Sequence, residues 1–140
     1  MVDQLTVFLE NEPGRLAALT TVLGEASISM RALTVADADK YGVVRILADH
    51  PVEAYEILNS KGFRVALTKV FAVEVPDVAG GLSKLLTYFQ EAGVNVDYAY
   101  CFLNGKGRAI DILRTDNLEK TEQVIAKAGF KSLSPEDLCA

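Results

Sequence analysis

Glu10-Asn11-Glu12-Pro13-Gly14-Arg15-Leu16-Ala17 is the stretch that decides the fold, because a strand pattern ends in it and a helix pattern begins. Before it, apolar residues alternate at Leu5, Val7 and Leu9, as they do in a half-buried strand. After it, apolar residues recur at helical spacing: Leu16, Leu19, Val22 and Leu23. A strand that ends against a helix start leaves free backbone N–H groups, and a glycine there leaves room for a small anion.

The same arrangement occurs a second time at Glu74-Val75-Pro76-Asp77-Val78-Ala79-Gly80-Gly81-Leu82. Strand-like residues precede it at Phe71 and Val73, and helically spaced apolar residues follow it: Leu82, Leu85, Leu86 and Phe89. A second pair of matching segments is Gly62-Phe63-Arg64 and Gly129-Phe130-Lys131. The chain is therefore interpreted as an internal duplication of one βαββαβ unit.

The fold class predicted from this pattern is α+β, with two ferredoxin-like βαββαβ repeats that have antiparallel sheets. The first domain is predicted over residues 1–69 and the second over residues 70–140. The first copy is predicted as strand 4–10, a helix from Pro13 capped by Asn11 or Glu12, strands 28–36 and 41–48, helix 52–60 and strand 63–67. The second copy is predicted as strand 70–75, helix 80–92, strands 94–102 and 109–113, helix 118–128 and a last strand over 133–138. Residues 64–75 leave almost no linker, so the two domains are expected to pack side by side.

Composition and charge exclude several classes of protein. The chain has 140 residues, half of them hydrophobic, and a net charge of −5, which argues against a nucleic-acid surface. No apolar stretch is long enough to cross a membrane, so no membrane partner is expected. Cys101 and Cys139 have no metal-type spacing and are expected to be reduced thiols of a cytoplasmic protein. We expect no metal and no cofactor, and His50 before Pro51 is interpreted as a solvated loop residue.

Each half of the chain resembles an ACT domain, the amino-acid-binding regulatory module with ferredoxin-like topology. The resemblance covers nearly the whole chain. Its most specific part is Leu9 to Ala17, followed by Ser29 at the start of the next strand. In ACT domains that bind amino acids, loop amides hold the ligand carboxylate, while a polar loop residue and a strand-opening Asn hold the ammonium group. In the first copy Asn11 matches the polar loop residue and Gly14 the helix-start glycine, while Ser29 departs from the Asn.

In the second copy the resemblance assigns the same roles to different residues. Asp77 stands at the polar loop position, Gly80 at the glycine and Asn95 at the strand opening. Ala79 stands where the family usually has Pro. Each copy lacks one part of the pattern, and the two together contain all the parts.

The resemblance implies a ligand site in which the loop of one domain faces the second strand of its neighbour. Asn11 and Gly14 would then face Asn95, while the second loop would face Ser29. Arg15 is a candidate for a carboxylate clamp. The full predicted set is Asn11, Glu12, Pro13, Gly14, Arg15, Leu16, Ser29, Met30, Asp77, Val78, Ala79, Gly80, Gly81, Leu82, Asn95 and Val96.

The function implied by the resemblance is a non-catalytic regulatory protein that binds an amino acid at the ACT–ACT interface. A homodimer and a metabolic enzyme under its control are the implied partners. The alternative is a ligand-free module for dimerisation or docking, and Ser29 and Ala79 favour it. A third interpretation is an acylphosphatase-like enzyme, but Arg15 falls inside the helix start and no copy assembles a catalytic set. The aromatic row Tyr98, Tyr100 and Phe102 is expected to form a domain–domain or dimer contact rather than stack on a ligand.

Overall fold

A computed structural model describes residues 1–139, apart from the side chains of Ala38 and Cys139. The chain divides into two compact units, Asp3–Lys69 and Val70–Leu138. Each unit combines helices with an antiparallel sheet, which confirms the predicted class of two βαββαβ-like repeats. Ala140, the last residue of the predicted second domain, lies outside the described residues.

The N-terminal unit follows the predicted element order. Its elements are β1 (Val2–Glu10), α1 (Arg15–Glu25), β2 (Met30–Ala38), β3 (Tyr41–Ala48), α2 (Pro51–Ser60) and the first part of β4 (Arg64–Pro76). The strand order is β2-β3-β1, with β4 beside β1. Val7 of β1 lies opposite Val44 of β3 in antiparallel register, and β2 has a bulge between Met30 and Ala32.

The core of the N-terminal unit lies between its sheet and its two helices. Alternate strand residues point to one face of the sheet, and helix residues three or four apart share one stripe. The apolar residues of the strands and helices form a single buried cluster: Leu5, Val7, Leu9, Leu19, Leu23, Ile28, Val44, Ile46, Ala54 and Leu58. Phe8 points to the other face and is exposed, with the guanidinium of Arg64 5.9 Å from its ring centroid.

The C-terminal unit repeats this plan. Its elements are the second part of β4, α3 (Gly81–Ala92), β5 (Val96–Leu103), β6 (Arg108–Thr115), α4 (Leu118–Lys127), β7 (Lys131–Ser132) and α5 (Pro135–Cys139). β6 lies between β4 and β5, and β7 pairs with the other side of β4. Its buried cluster is Phe71, Val73, Val75, Leu85, Phe89, Val94, Ala109, Leu113 and Ile125.

The predicted last strand over residues 133–138 is wrong. β7 has only two residues, and Pro135–Cys139 forms α5. The N–H of Asp137 donates to Oγ of Ser134 at 3.3 Å, while Oδ2 of Asp137 accepts from the Ser134 N–H at 3.0 Å. This reciprocal capping by Ser134 and Asp137 starts a helix. Pro135 directly follows Ser134 and suits the first turn of that helix.

Asp111 is a carboxyl group in the core of the C-terminal unit. It lies opposite Val73 in the β4–β6 register and is only 3% exposed. Its Oδ2 has no hydrogen-bond partner among the described residues, and burial raises its pKa. The matching fourth residue of β3 in the first copy is Val44, a core residue. The second copy therefore has an acid where the first copy has an apolar core residue.

Gly81→Ala is expected to destabilise the chain although Gly81 is helical, because the added Cβ would collide with the backbone carbonyl of Pro76. We expect a loss of at least about 2 kcal/mol in the free energy of unfolding, as for other overpacked sites. Gly24→Ala is the matched control: Gly24 is an exposed helical glycine with open space around it. That variant should gain about 0.5–1 kcal/mol in urea denaturation. Equal stabilities of the two variants would contradict the close approach at Gly81.

Asp111→Val is expected to stabilise the protein at pH 7 by about 1–3 kcal/mol, the cost of burying an unsatisfied polar group. Because the folded pKa of Asp111 is raised, the wild-type chain loses stability as the pH rises through that pKa. The gain should therefore be smaller at pH 4 than at pH 7 in urea denaturation. Val44→Asp, the reciprocal change in the first copy, should lose stability at pH 7. A gain that does not change with pH would contradict this account of Asp111.

Candidate functional site

Both strand–helix loops turn at a glycine with a left-handed backbone. The φ angle is +86° at Gly14 and +83° at Gly80, and each glycine is the residue that precedes the first helical residue. Neither helix start has a side-chain cap, so the prediction that Asn11 or Glu12 caps α1 is wrong. The sharp turn moves the cap position onto the glycine, and the side-chain amide of Asn11 instead donates to the carbonyl of Asp39 at 3.5 Å.

The two loops have the same attachment to their own unit. The N–H of Asn11 donates to the carbonyl of Lys40 at 3.0 Å, and the N–H of Asp77 donates to the carbonyl of Gly107 at 3.1 Å. Each bond connects a loop to the hairpin that joins the two middle strands of its repeat. The loops are therefore equivalent parts of the two copies, as their sequences predict.

The first turn of α3 presents unused N–H groups at the second loop. The carbonyl of Gly80 accepts its first helical hydrogen bond from Lys84 at 3.1 Å. Helix geometry therefore leaves the N–H groups of Leu82 and Ser83 without an acceptor inside the helix. A negative charge near such a helix start is stabilised by about 0.3–1 kcal/mol.

A groove of about 530 Å³ lies at this helix start, within the C-terminal unit. It is lined by the end of β4, the loop, one face of α3 and the α4–β7 connection. Four of the predicted site residues line it: Val78, Ala79, Gly80 and Gly81. Nine further residues line it that were not predicted: Glu74, Pro76, Lys84, Tyr88, Arg108, Ala128, Gly129, Phe130 and Lys131.

The charged lining of the groove is predominantly basic. Nε of Arg108 lies 3.6 Å from Oε1 of Glu74, and the side-chain amide of Asn104 donates to the same oxygen at 3.5 Å. Lys131 stands opposite Glu74 in the pairing of β7 with β4, and Lys84 projects from α3. Three cations and one carboxylate therefore surround a groove in a chain whose net charge is −5.

Two aromatic rings form the apolar side of the groove. The ring centroids of Tyr88 and Phe130 are 6.2 Å apart and the rings meet edge to face, at 76°. Tyr88 follows Lys84 by one helical turn, so both side chains project from the same face of α3. A bound molecule would therefore have apolar contacts next to the charged groups.

The corresponding place in the N-terminal unit contains an arginine side chain. Arg15 is the first residue of α1, as Gly81 is of α3, and Phe63 corresponds to Phe130. The guanidinium of Arg15 lies 5.7 Å from the centroid of the Phe63 ring, and its Nε lies 3.8 Å from Oε2 of Glu10. Arg15 is therefore engaged by its own unit.

The strand-opening residues Ser29 and Asn95 have equivalent surroundings. The backbone N–H of Ser29 donates to Oδ1 of Asp49 at 3.0 Å, and that of Asn95 donates to Oδ1 of Asp116 at 3.0 Å. The side-chain amide nitrogen of Asn95 donates to Asp97 at 3.1 Å, so its Oδ1 remains an acceptor.

Within one unit the strand opening does not meet the loop. An 11-residue α1 separates Gly14 from Ser29, and a 12-residue α3 separates Gly80 from Asn95. At 1.5 Å per residue these helices are roughly 16–18 Å long. A ligand held by a loop and by a strand opening would therefore need a second unit.

The remaining predicted site residues divide between surface and core. Val96 packs against the C-terminal core. The others are exposed: Asn11, Glu12, Pro13, Gly14, Leu16, Ser29, Met30, Asp77, Leu82 and Asn95. Tyr98, Tyr100 and Phe102 are half-buried on β5, and their predicted contact role stays a prediction.

Among the side chains that the structure describes, no group of three His, Cys, Asp or Glu is arranged to hold a metal ion. Within residues 1–139, no helix is both long and apolar enough to span a bilayer. Cys101 is an exposed free thiol.

The sequence model of one protein family, described as the ACT domain pair, matches residues 1–140. The chain belongs to the ACT domain pair family. The resemblance predicted from the two loops is thereby confirmed. No curated protein matches the sequence.

Solved structures similar to this ACT pair include protein BT0572 from Bacteroides thetaiotaomicron. It is 34% identical, the match covers 98% of this chain and 94% of that one, and the TM-score is 0.93. The ligand-free regulatory subunit of aspartate kinase from Thermus thermophilus is 16% identical over 91% of this chain and 92% of its own, with a TM-score of 0.67. Clostridium acetobutylicum aspartate kinase is 14% identical over 90% of this chain and 32% of its own, with a TM-score of 0.54. The two kinase structures show the fold of the ACT pair alone.

The groove residues that the sequence did not predict lie on elements distant in the chain. Lys84 and Tyr88 had one usable signal, because they follow Gly81 by one and two helical turns. Glu74 and Lys131 face each other only through the β4–β7 pairing, and no local pattern indicates that register.

Asp49→Asn is expected to weaken the attachment of Ser29 at neutral pH and to matter less in acid. Burial opposes ionisation of Asp49, but hydrogen bonds from His50 and from the Ser29 N–H lower its pKa below the ordinary 3.8. A lowered folded pKa means that the stabilisation is present above pH 3.8 and is lost as the pH falls through the folded value. The stability difference between wild type and Asp49→Asn, measured by urea denaturation from pH 7 to pH 2, should therefore shrink in acid. A difference that grows in acid would contradict this role.

Proposed function

We propose that this ACT pair is a non-catalytic regulatory protein that binds an amino acid at its strand–helix loops. The observation that carries the proposal is the groove at the glycine-led start of α3, where free N–H groups lie beside basic side chains and one carboxylate. We propose residues 1–69 and 70–140 as the two ACT domains. The other site residues are proposed to act between units, where the loop of one domain meets the strand opening of another.

The chemistry of the groove suits a zwitterion. N–H groups at a helix start and Lys84 favour the carboxylate of the ligand, and Glu74 is an acceptor for its ammonium group. Asn95 Oδ1 would accept from the ammonium in a site shared between units. Each charge-assisted hydrogen bond contributes about 1.5–3 kcal/mol. Two or three of them, less the ordering costs, correspond to a Kd of about micromolar to millimolar.

Regulation follows if the ligand favours one arrangement of units over another. Binding changes an equilibrium only by the difference in affinity between two states. The similar Thermus protein is named a regulatory subunit of aspartate kinase, which supports a metabolic enzyme as the controlled partner. A homodimer in the cytoplasm is the assembly proposed here.

A second candidate is a ligand-free docking module, and one observation favours it for the N-terminal unit. There the side chain of Arg15 lies over Phe63, where a ligand would otherwise be expected. A protein of this kind would assemble normally and would respond to no amino acid.

A thermal-shift screen with the twenty amino acids tests the proposed function. A ligand at about 100 times its Kd stabilises the folded state by about 2.7 kcal/mol, which raises Tm by several degrees. Gly80→Asp should abolish the shift, because the new carboxylate repels the ligand carboxylate at the helix start.

Gly62→Asp is the matched control, since Gly62 has a φ of +86° and open space around it, so the backbone strain is alike. That variant should lose a similar amount of stability and keep the shift. A flat response of the folded wild-type protein to all twenty amino acids would remove the amino-acid-binding function.

A further inference from the structure

The groove of the C-terminal unit carries an excess of positive charge that a neutral amino acid would not use. Glu74 already interacts with Arg108 and with the amide of Asn104. Lys84 and Lys131 are then the cations in excess, and both side chains are exposed at the groove. In an acidic chain such a local reversal of sign favours an anion over a zwitterion.

One acid outside the groove interacts with Lys131. It is Asp137 of α5, whose pKa is lowered by hydrogen bonds from the Ser134 backbone and hydroxyl, and further by Lys131. Both hydrogen bonds of Ser134 go to Oδ2 of Asp137, at 3.0 and 3.1 Å. Asp137 does not line the groove, so the charge that a ligand meets there is that of Lys131.

The two copies differ at the positions that form the groove. Gly81 and Lys84 of α3 correspond to Arg15 and Ala18 of α1. In the N-terminal unit the guanidinium of Arg15 covers the ring of Phe63. In the C-terminal unit Gly81 has no side chain that could cover Phe130, and Lys84 one turn later adds a charge.

We propose that the C-terminal unit binds one acidic amino acid per chain in this groove, and that the Arg15 side chain closes the equivalent place in the N-terminal unit. This inference rests on the proposed amino-acid-binding function and specifies its ligand. One carboxylate binds at the start of α3 beside Lys84, and the second binds at Lys131. Glu74 accepts from the ammonium group, and the methylene groups lie against Tyr88.

Isothermal titration calorimetry on the full chain tests the charge requirement with isosteric pairs. L-aspartate is compared with L-asparagine and L-glutamate with L-glutamine, with inorganic phosphate as an anion that has no carbon skeleton. We expect at least one acid to bind about tenfold or more tightly than its amide, with one site per chain and weaker binding at high salt. Equal affinity of acid and amide, two sites per chain, or phosphate binding as tightly as the acids would overturn the proposal.

The double variant Lys84→Gln, Lys131→Gln tests the assignment of the cations. It should weaken binding of the acidic amino acid about tenfold or more, while Lys61→Gln, an exposed lysine of the other unit, should leave it unchanged. Both variants should keep the wild-type Tm without ligand, which shows that the double variant folds. Unchanged binding by the double variant would overturn the proposal.

The outcomes separate this inference from the function on which it rests. A neutral or basic amino acid that binds better than the acids would overturn the acidic ligand and leave the regulatory function standing. If no amino acid binds to the folded protein, both fail.

Discussion

Each unit depends on a strand that becomes a helix within four residues. This sharp turn is possible because Gly14 and Gly80 adopt φ angles above +80°, a conformation that costs other residues about 1–2 kcal/mol. The turn leaves the helix start without a side-chain cap, so its N–H groups stay available. The same feature that closes the fold therefore also creates the place where an anion can bind.

The two copies keep this turn and differ around it. The backbone hydrogen bonds that attach Asn11 and Asp77 to their hairpins are equivalent. The side chain at the first helical position is not: Arg15 covers an aromatic ring in one copy, while Gly81 has no side chain and lines a groove in the other. Duplication thus preserved the scaffold, because its backbone conditions are strict, and allowed the surface of each copy to change.

Much of the fold could be predicted from the sequence, because it depends on local periodicity. The strand Tyr41–Ala48 was predicted with its observed bounds, and residues 64–75, which were predicted to leave almost no linker, lie within the single strand β4. Two errors have local causes. The cap of α1 was predicted to be a side chain, but the turn places Gly14 at the cap position. The last strand was predicted where α5 lies, because the capping pair of Ser134 and Asp137, which starts that helix, was not recognised.

By itself the sequence determined the duplicated βαββαβ order, the two glycine-led loops and the membership of the ACT pair family. These features rest on spacing along the chain, which a sequence displays directly. Only the tertiary structure decided which side chains share the groove. The β4–β7 register brings Lys131 opposite Glu74, and helix packing sets Tyr88 against Phe130, although more than 40 residues separate each pair in the chain. Such contacts depend on register and packing between distant segments, and no local pattern encodes them.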